Sequence, residues 1–142
     1  MIVDTSAIVA IWRREPLAEA LSETLLQAPR ANLSAPTYVE IGCVLDDRSR
    51  PEANRRLDAL LDAYGIETIP FTAEHARLAR AAYRDFGKGS GHPARLNLGD
   101  CFSYALAAAT GEDLLFVGDD FTHTDLEAAP LASPGAGSSP PV

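Results

Sequence analysis

Short apolar runs alternate with amphipathic segments along this chain, the pattern of strands feeding helices. Met1-Ile2-Val3 is an apolar run closed by Asp4, and Thr5-Ser6 then stand as caps for a helix carrying Ile8, Val9, Ile11 and Trp12. Pro16 opens a second helix through Leu17, Leu21, Leu25 and Leu26. Pro29 to Ala35 turns and then runs extended. Pro36-Thr37 begins a third helix, because Thr37-Tyr38-Val39-Glu40 has capping-box form and Val39, Cys43 and Val44 recur at helical spacing. Pro51 starts a fourth, with Leu57, Leu60, Leu61 and Tyr64 on one stripe and Gly65 as its stop. Ile66 to Pro70 alternates as a strand. Thr72 caps a helix from Ala73 to Phe86, and Asn97 caps another from Leu98 to Thr110, ended by Gly111. The last strand is expected at Leu114 to Val117.

Strands alternating with helices predict an α/β fold, a mainly parallel sheet covered on both faces. Right-handed crossovers gather the carboxyl ends of such strands on one side. With 142 residues and 46% hydrophobic content, the chain is sized for one domain with a real core, placed at residues 1–129. Ser, Pro, Gly and Ala dominate residues 130–142, a composition with little to bury and therefore expected to be disordered. The glycine-rich segment Gly87-Lys88-Gly89-Ser90-Gly91-His92-Pro93 reads as a functional or mobile loop.

No apolar run approaches the roughly 20 residues that cross a bilayer. No basic leader precedes the first strand, so a soluble cytoplasmic protein is expected. The net charge of −8 argues against indiscriminate binding of polyanions, and a nucleic-acid partner would need a local basic patch. Eleven of the 12 basic residues are Arg, a bias that suits bidentate contacts but also follows from a GC-rich genome. Cys43 and Cys101 lack paired spacing and read as reduced, half-buried filler. His75, His92 and His123 are scattered, which speaks against a nitrogen- or sulfur-rich metal site.

The acids carry the chemistry. Asp4, Glu40, Asp100 and Asp119/Asp120 each lie where a strand ends or a helix begins. Glu40 three residues after Thr37, and Asp100 three after Asn97, fit plain helix caps worth about 1 kcal/mol each. Asp119-Asp120 also suits a turn. The shared sheet edge shifts the balance: carboxylates gathered without cations repel one another, whereas a hard divalent ion accounts for them. Oxygen-only ligands favour Mg²⁺ or Mn²⁺, and such ions point to phosphodiester chemistry. Glu40 is the acid best placed to orient a water, and Thr5 and Ser6 can support the ligands.

Met1-Ile2-Val3-Asp4-Thr5-Ser6-Ala7, Ala35-Pro36-Thr37-Tyr38-Val39-Glu40, the run Asn97-Leu98-Gly99-Asp100-Cys101-Phe102-Ser103-Tyr104-Ala105-Leu106-Ala107, and Gly118-Asp119-Asp120-Phe121 together resemble a PIN-domain ribonuclease of the VapC toxin type. The segments from Phe86 to Gly89 and from His92 to Asn97 resemble that family too, and the likeness runs over about residues 1–127. The resemblance implies a PIN-like three-layer α/β/α sandwich and Mg²⁺- or Mn²⁺-dependent endonucleolytic cleavage of RNA, a tRNA or another structured RNA. It further implies a type II toxin-antitoxin system with a cognate VapB-like antitoxin, and a homodimer. Carried over by position, Asp4 and Asp100 are the metal-binding acids, and Glu40 and Asp119 complete the catalytic set. Asp119 is favoured over Asp120 because it directly follows the strand and Gly118, while Lys88 and Arg95 would receive the RNA backbone.

Three other readings compete. A haloacid-dehalogenase phosphatase wants a second acid where Ser6 stands and another where His123 stands, and a phosphoryl-receiver domain wants an acid pair after the first strand. A PIN fold that only binds its partner would lack acids of the set, and none is missing.

Overall fold

The computed structural model describes residues 1–133. The chain forms β1 (Ile2–Val3), α1 (Thr5–Trp12), α2 (Ala18–Gln27), β2 (Ala31–Ser34), α3 (Ala35–Leu45), α4 (Pro51–Ala63), β3 (Ile66–Ile69), α5 (Ala73–Phe86), α6 (Leu98–Thr110) and β4 (Leu114–Leu115), followed by a 3₁₀ turn at Asp120–His123. All strand pairings are parallel, in the order β3-β2-β1-β4.

Side chains alternate across this sheet, and each face has its own core. Val3, Leu33 and Leu115 pack with Ile8, Ile11, Leu21, Leu25, Leu57 and Leu60 from α1, α2 and α4. Ile2 and Leu114 face the other way, against Ala79, Ala82, Leu96, Ala105 and Leu106 around α5 and α6. The result is the expected α/β/α sandwich. Among the described residues no helix is long and apolar enough to cross a membrane.

The boundaries follow the sequence closely, with instructive exceptions. The last strand stops at Leu115, two residues short of the expected Val117, because the Val117 N–H leaves the ladder and donates to Ser6 Oγ at 3.0 Å. Helix α3 starts at Ala35 with Ser34 as its N-cap, so the capping box expected at Thr37 and Glu40 does not form. The glycine-rich loop is pinned rather than loose at its ends: the Lys88 N–H donates to the Leu96 carbonyl and the Leu96 N–H to the Phe86 carbonyl, each at 2.9 Å. Ala94 and Leu96 are buried beneath it. Gly87 is required there, since a Cβ at that position would sit 2.2 Å from the Tyr83 carbonyl oxygen. Of the tail expected from residue 130, residues 134–142 lie outside the described residues; Ala132 is placed, its N–H donating to Thr24 Oγ1 at 2.8 Å.

Candidate active site

β1 is an interior strand flanked by β2 and β4, so the residue that follows it emerges in the middle of the sheet's carboxyl edge. The strand order reverses direction there, the place where open α/β sheets leave a crevice. That residue is Asp4, only 4% exposed. It is the N-cap of α1, a role the sequence had suggested for Thr5-Ser6; a carboxylate is the stronger acceptor for free helix N–H groups. Asp4 Oδ2 accepts from the Ser6 N–H at 3.0 Å and from Ser6 Oγ at 2.7 Å. Its Oδ1 accepts from Ser103 Oγ at 2.6 Å.

Asp100 comes from the first turn of α6. The plain capping role is real here: Asn97 Oδ1 accepts from the Asp100 N–H at 2.9 Å, and Asp100 Oδ2 accepts from the Asn97 N–H at 2.8 Å. Capping does not account for its environment. Burial pushes the Asp100 carboxyl up to about 7, against the lowering effect of the Asn97 N–H, and the charges of Asp4, Asp120 and Glu40 raise it further.

Glu40 is not a cap at all. Its carboxylate lies over Gly99 of α6, where a Cβ would fall 1.8 Å from Oε2. Burial raises its pKa, the Asp4 charge adds to the rise, and the Thr5 hydroxyl opposes it. Thr5 Oγ1 thus faces the carboxylate but stops short of regular hydrogen-bond geometry, and it remains a buried hydroxyl without a full partner. Glycine inside a helical turn is ordinarily a cost, and the close approach of Glu40 is what it serves here. Gly99→Ala is therefore expected to fold as well as the parent, since Ala favours a helix by up to ~1 kcal/mol. The flexible Glu40 tip would be displaced, and cleavage activity should fall at least ~10-fold, read by comparing melting and turnover of the two proteins. Unchanged turnover would show that Glu40 need not sit over position 99.

For the fourth acid the sequence favours Asp119, with Asp120 as its alternative. Asp120, at the start of the 3₁₀ turn, is the acid after β4 whose charge acts on Asp100. Asp119 precedes that turn, and its main-chain carbonyl accepts from Thr122 Oγ1 at 2.6 Å. Lys88 and Arg95 are exposed on the loop before α6, and Arg95 holds a left-handed backbone with φ of 51°.

Two residues of the site escaped sequence reasoning. Ser103 lies three positions after Asp100 and hence on the same helical face, a spacing that was there to be read. Gly99 had a weaker signal, a glycine in a first helical turn without an obvious reason. The cysteines play no part in this chemistry: Cys101 is fully buried with its thiol pushed up to about 12 by burial, and Cys43, contrary to expectation, is exposed. His75 belongs to the cap of α5, while His92 accepts from the Ala94 N–H at 3.1 Å. A cavity of about 570 Å³ lined by Ile11, Trp12, Arg14, Arg56 and Leu60 contains none of the four acids.

A divalent cation suits this arrangement in charge and in donor chemistry. Burial and neighbouring carboxylates raise Asp100 and Glu40, among the described residues no Arg or Lys is one of the groups acting on either, and the Thr5 hydroxyl lacks a full partner beside them. The donors do not form a closed cage: among the described residues no three His, Cys, Asp or Glu side chains converge as a preformed metal site would. A hard ion such as Mg²⁺, which keeps several waters and takes one or two carboxylates, does not require a closed cage.

Comparison with known proteins agrees with this architecture. Residues 1–127 match the PIN domain family. Ribonuclease VapC42 of Mycobacterium tuberculosis (strain ATCC 25618 / H37Rv) is 59% identical over 129 residues, covering 91% of this chain and 98% of that protein. Ribonuclease VapC28 of the same strain is 53% identical over 129 residues, covering 91% and 97%. Among solved structures, Mycobacterium tuberculosis VapC20, described as a sarcin-ricin loop cleaving toxin, superposes with a TM-score of 0.69 at 18% identity, covering 91% of this chain and 98% of that one. A toxin-antitoxin complex from Klebsiella pneumoniae gives 0.67 at 17% identity, covering 87% and 92%. With its sandwich, its acidic crevice and these relatives, the chain belongs to the PIN-domain family, in its VapC branch.

Proposed function

We propose that this protein is a divalent-cation-dependent endoribonuclease, the toxin of a type II toxin-antitoxin pair. The observation that carries the reading is the neighbourhood of Asp100: Glu40 lies over the adjacent Gly99, the charges of Asp4, Glu40 and Asp120 all act on Asp100, and burial with that repulsion raises the pKa values of Asp100 and Glu40. Relatives named ribonucleases at 53% and 59% identity support the activity.

Asp4 and Asp100 would hold Mg²⁺ or Mn²⁺, with Asp120 exposed at the start of the 3₁₀ turn and Glu40 over Gly99. When bound, the ion polarises the scissile phosphate, eases deprotonation of an attacking water and offsets charge on the leaving 3′-oxygen. Glu40, half-buried and proton-hungry compared with an exposed carboxylate, orients that water and takes its proton. Ser6 and Ser103 hold Asp4 still while this happens. Lys88 and Arg95 meet the RNA backbone from the loop, the local positive charge that an otherwise acidic protein needs. A structured RNA is the substrate in this reading, and a VapB-like antitoxin and homodimerisation belong to it. The toxin-antitoxin complex among the structural neighbours is consistent with such a partner.

The test is incubation of purified protein with transfer and ribosomal RNA, in chelator and after Mn²⁺ is returned. Discrete cleavage products only with the metal are expected; intact RNA under both conditions would overturn the reading. If Lys88 steers RNA, Lys88→Glu should weaken binding several-fold more at ~0.05 M than at ~0.5 M salt, because screening removes the attraction. Equal weakening at both would remove Lys88 from the RNA path.

A further inference from the structure

Resting on that reading, we infer that Ser103 is a positioning residue which fixes the Asp4 carboxylate as a metal ligand. A carboxylate offers about four lone-pair sites, two on each oxygen. Asp4 Oδ2 spends both on the Ser6 N–H and Ser6 Oγ, at 3.0 and 2.7 Å. Only Oδ1 has capacity left, and one of its two sites is taken by the Ser103 hydroxyl at 2.6 Å. The direction of the remaining lone pair is therefore set by Ser103.

Ser103 is 0% exposed, so it has no contact with bulk solvent or with RNA. Its single proton goes to Asp4, which makes Thr37 the donor in the 3.4 Å contact between Thr37 Oγ1 and Ser103 Oγ. The placement links the acids to one another. Ser103 lies one helical turn after Asp100 on α6, and Thr37 lies three residues before Glu40 on α3. One buried hydroxyl pair thus ties the end of β1 to α6 and α3, the helices that carry Asp100 and Glu40. Without it, the Asp4 carboxylate keeps its Ser6 bonds but is free to rock about them, and Oδ1 loses its aim.

The experiment titrates Mn²⁺ alone into the parent protein, Ser103→Ala, Ser103→Cys and Asp4→Asn by calorimetry, then follows RNA cleavage against Mn²⁺ concentration. Ser103→Cys keeps the volume of the buried site while weakening the donor. Both Ser103 variants should bind Mn²⁺ ~10- to 100-fold more weakly than the parent, the usual effect of removing a group that orients a ligand. Raised Mn²⁺ should restore most of their cleavage rate, a rescue that a merely damaged fold would not show. Mn²⁺ affinity within about twofold of the parent in both Ser103 variants, together with its loss in Asp4→Asn, would overturn the positioning role and leave the ribonuclease reading standing. Parental affinity in Asp4→Asn itself would remove the metal site, and this inference with it.

Discussion

Asp4→Asn should lower RNA cleavage by more than ~100-fold while the protein still folds, since losing a ligand costs more than losing the group that orients it. The fold survives because the hydrogen bonds around Asp4 can be rearranged. An asparagine placed with its Oδ1 toward Ser6 keeps the helix cap, and its amide then faces Ser103 Oγ, which can accept and turn its own proton toward Thr37 Oγ1. What cannot be recovered is negative charge at the middle of the sheet edge. An exposed carboxylate would tolerate the change; one that is 4% exposed beside Glu40 and Asp100 would not, if its function is to hold a cation. Turnover by Asp4→Asn within a few-fold of the parent, at matched far-ultraviolet spectra and saturating Mn²⁺, would contradict the assignment.

The second large effect is on stability in chelator. Asp100 has its carboxyl pushed up to about 7 in the folded protein, from 3.8 in an ordinary setting, with burial the main cause. A carboxyl raised on folding binds more protons folded than unfolded between those two values, so its contribution is fully present below about pH 4 and is lost as pH rises through about 7. Glu40 is shifted in the same direction. Metal-free protein should therefore melt at lower temperature at pH 8 than at pH 5. Asp100→Asn should flatten that slope, because its amide oxygen can still accept from the Asn97 N–H while carrying no charge. At pH 8 in chelator the variant should melt several degrees above the parent, given that ~1 kcal/mol moves Tm by about 3–5 °C in a domain of this size. Mn²⁺ should raise the Tm of the parent and not of the variant, as expected for a ligand that binds only the folded state. A parent Tm that climbs between pH 5 and 8 in chelator would refute the crowding of acids on which the site depends.

Much of this was legible in the sequence because it depends on local rules. The hydrophobic run at Ile2-Val3, the Thr72 and Asn97 caps and the glycine at 111 each predict an element from a few residues, and each element formed. Family likeness then brought Asp4, Glu40 and Asp100 together before any coordinates did. What stayed hidden depends on side-chain direction across distant segments. Thr37 and Glu40 looked like a cap, but α3 begins two residues earlier, which releases Glu40 to reach over Gly99 and Thr37 to reach Ser103. Asp119 was favoured over Asp120 from its place after the strand alone, whereas a turn aims adjacent side chains differently and Phe121, packed in the core, anchors this one. The Ser103 bond to Asp4 spans 99 positions of sequence, and its one local trace was the spacing of Ser103 from Asp100 on a shared helical face.

The central claim is that these acids bind a divalent cation at the sheet edge. Mn²⁺ co-crystals measured at the manganese absorption edge test it most directly. An anomalous peak within coordination distance of Asp4 Oδ1 and the Asp100 carboxylate is the predicted result. A saturated crystal whose manganese peaks all lie away from Asp4 and Asp100 would contradict the account.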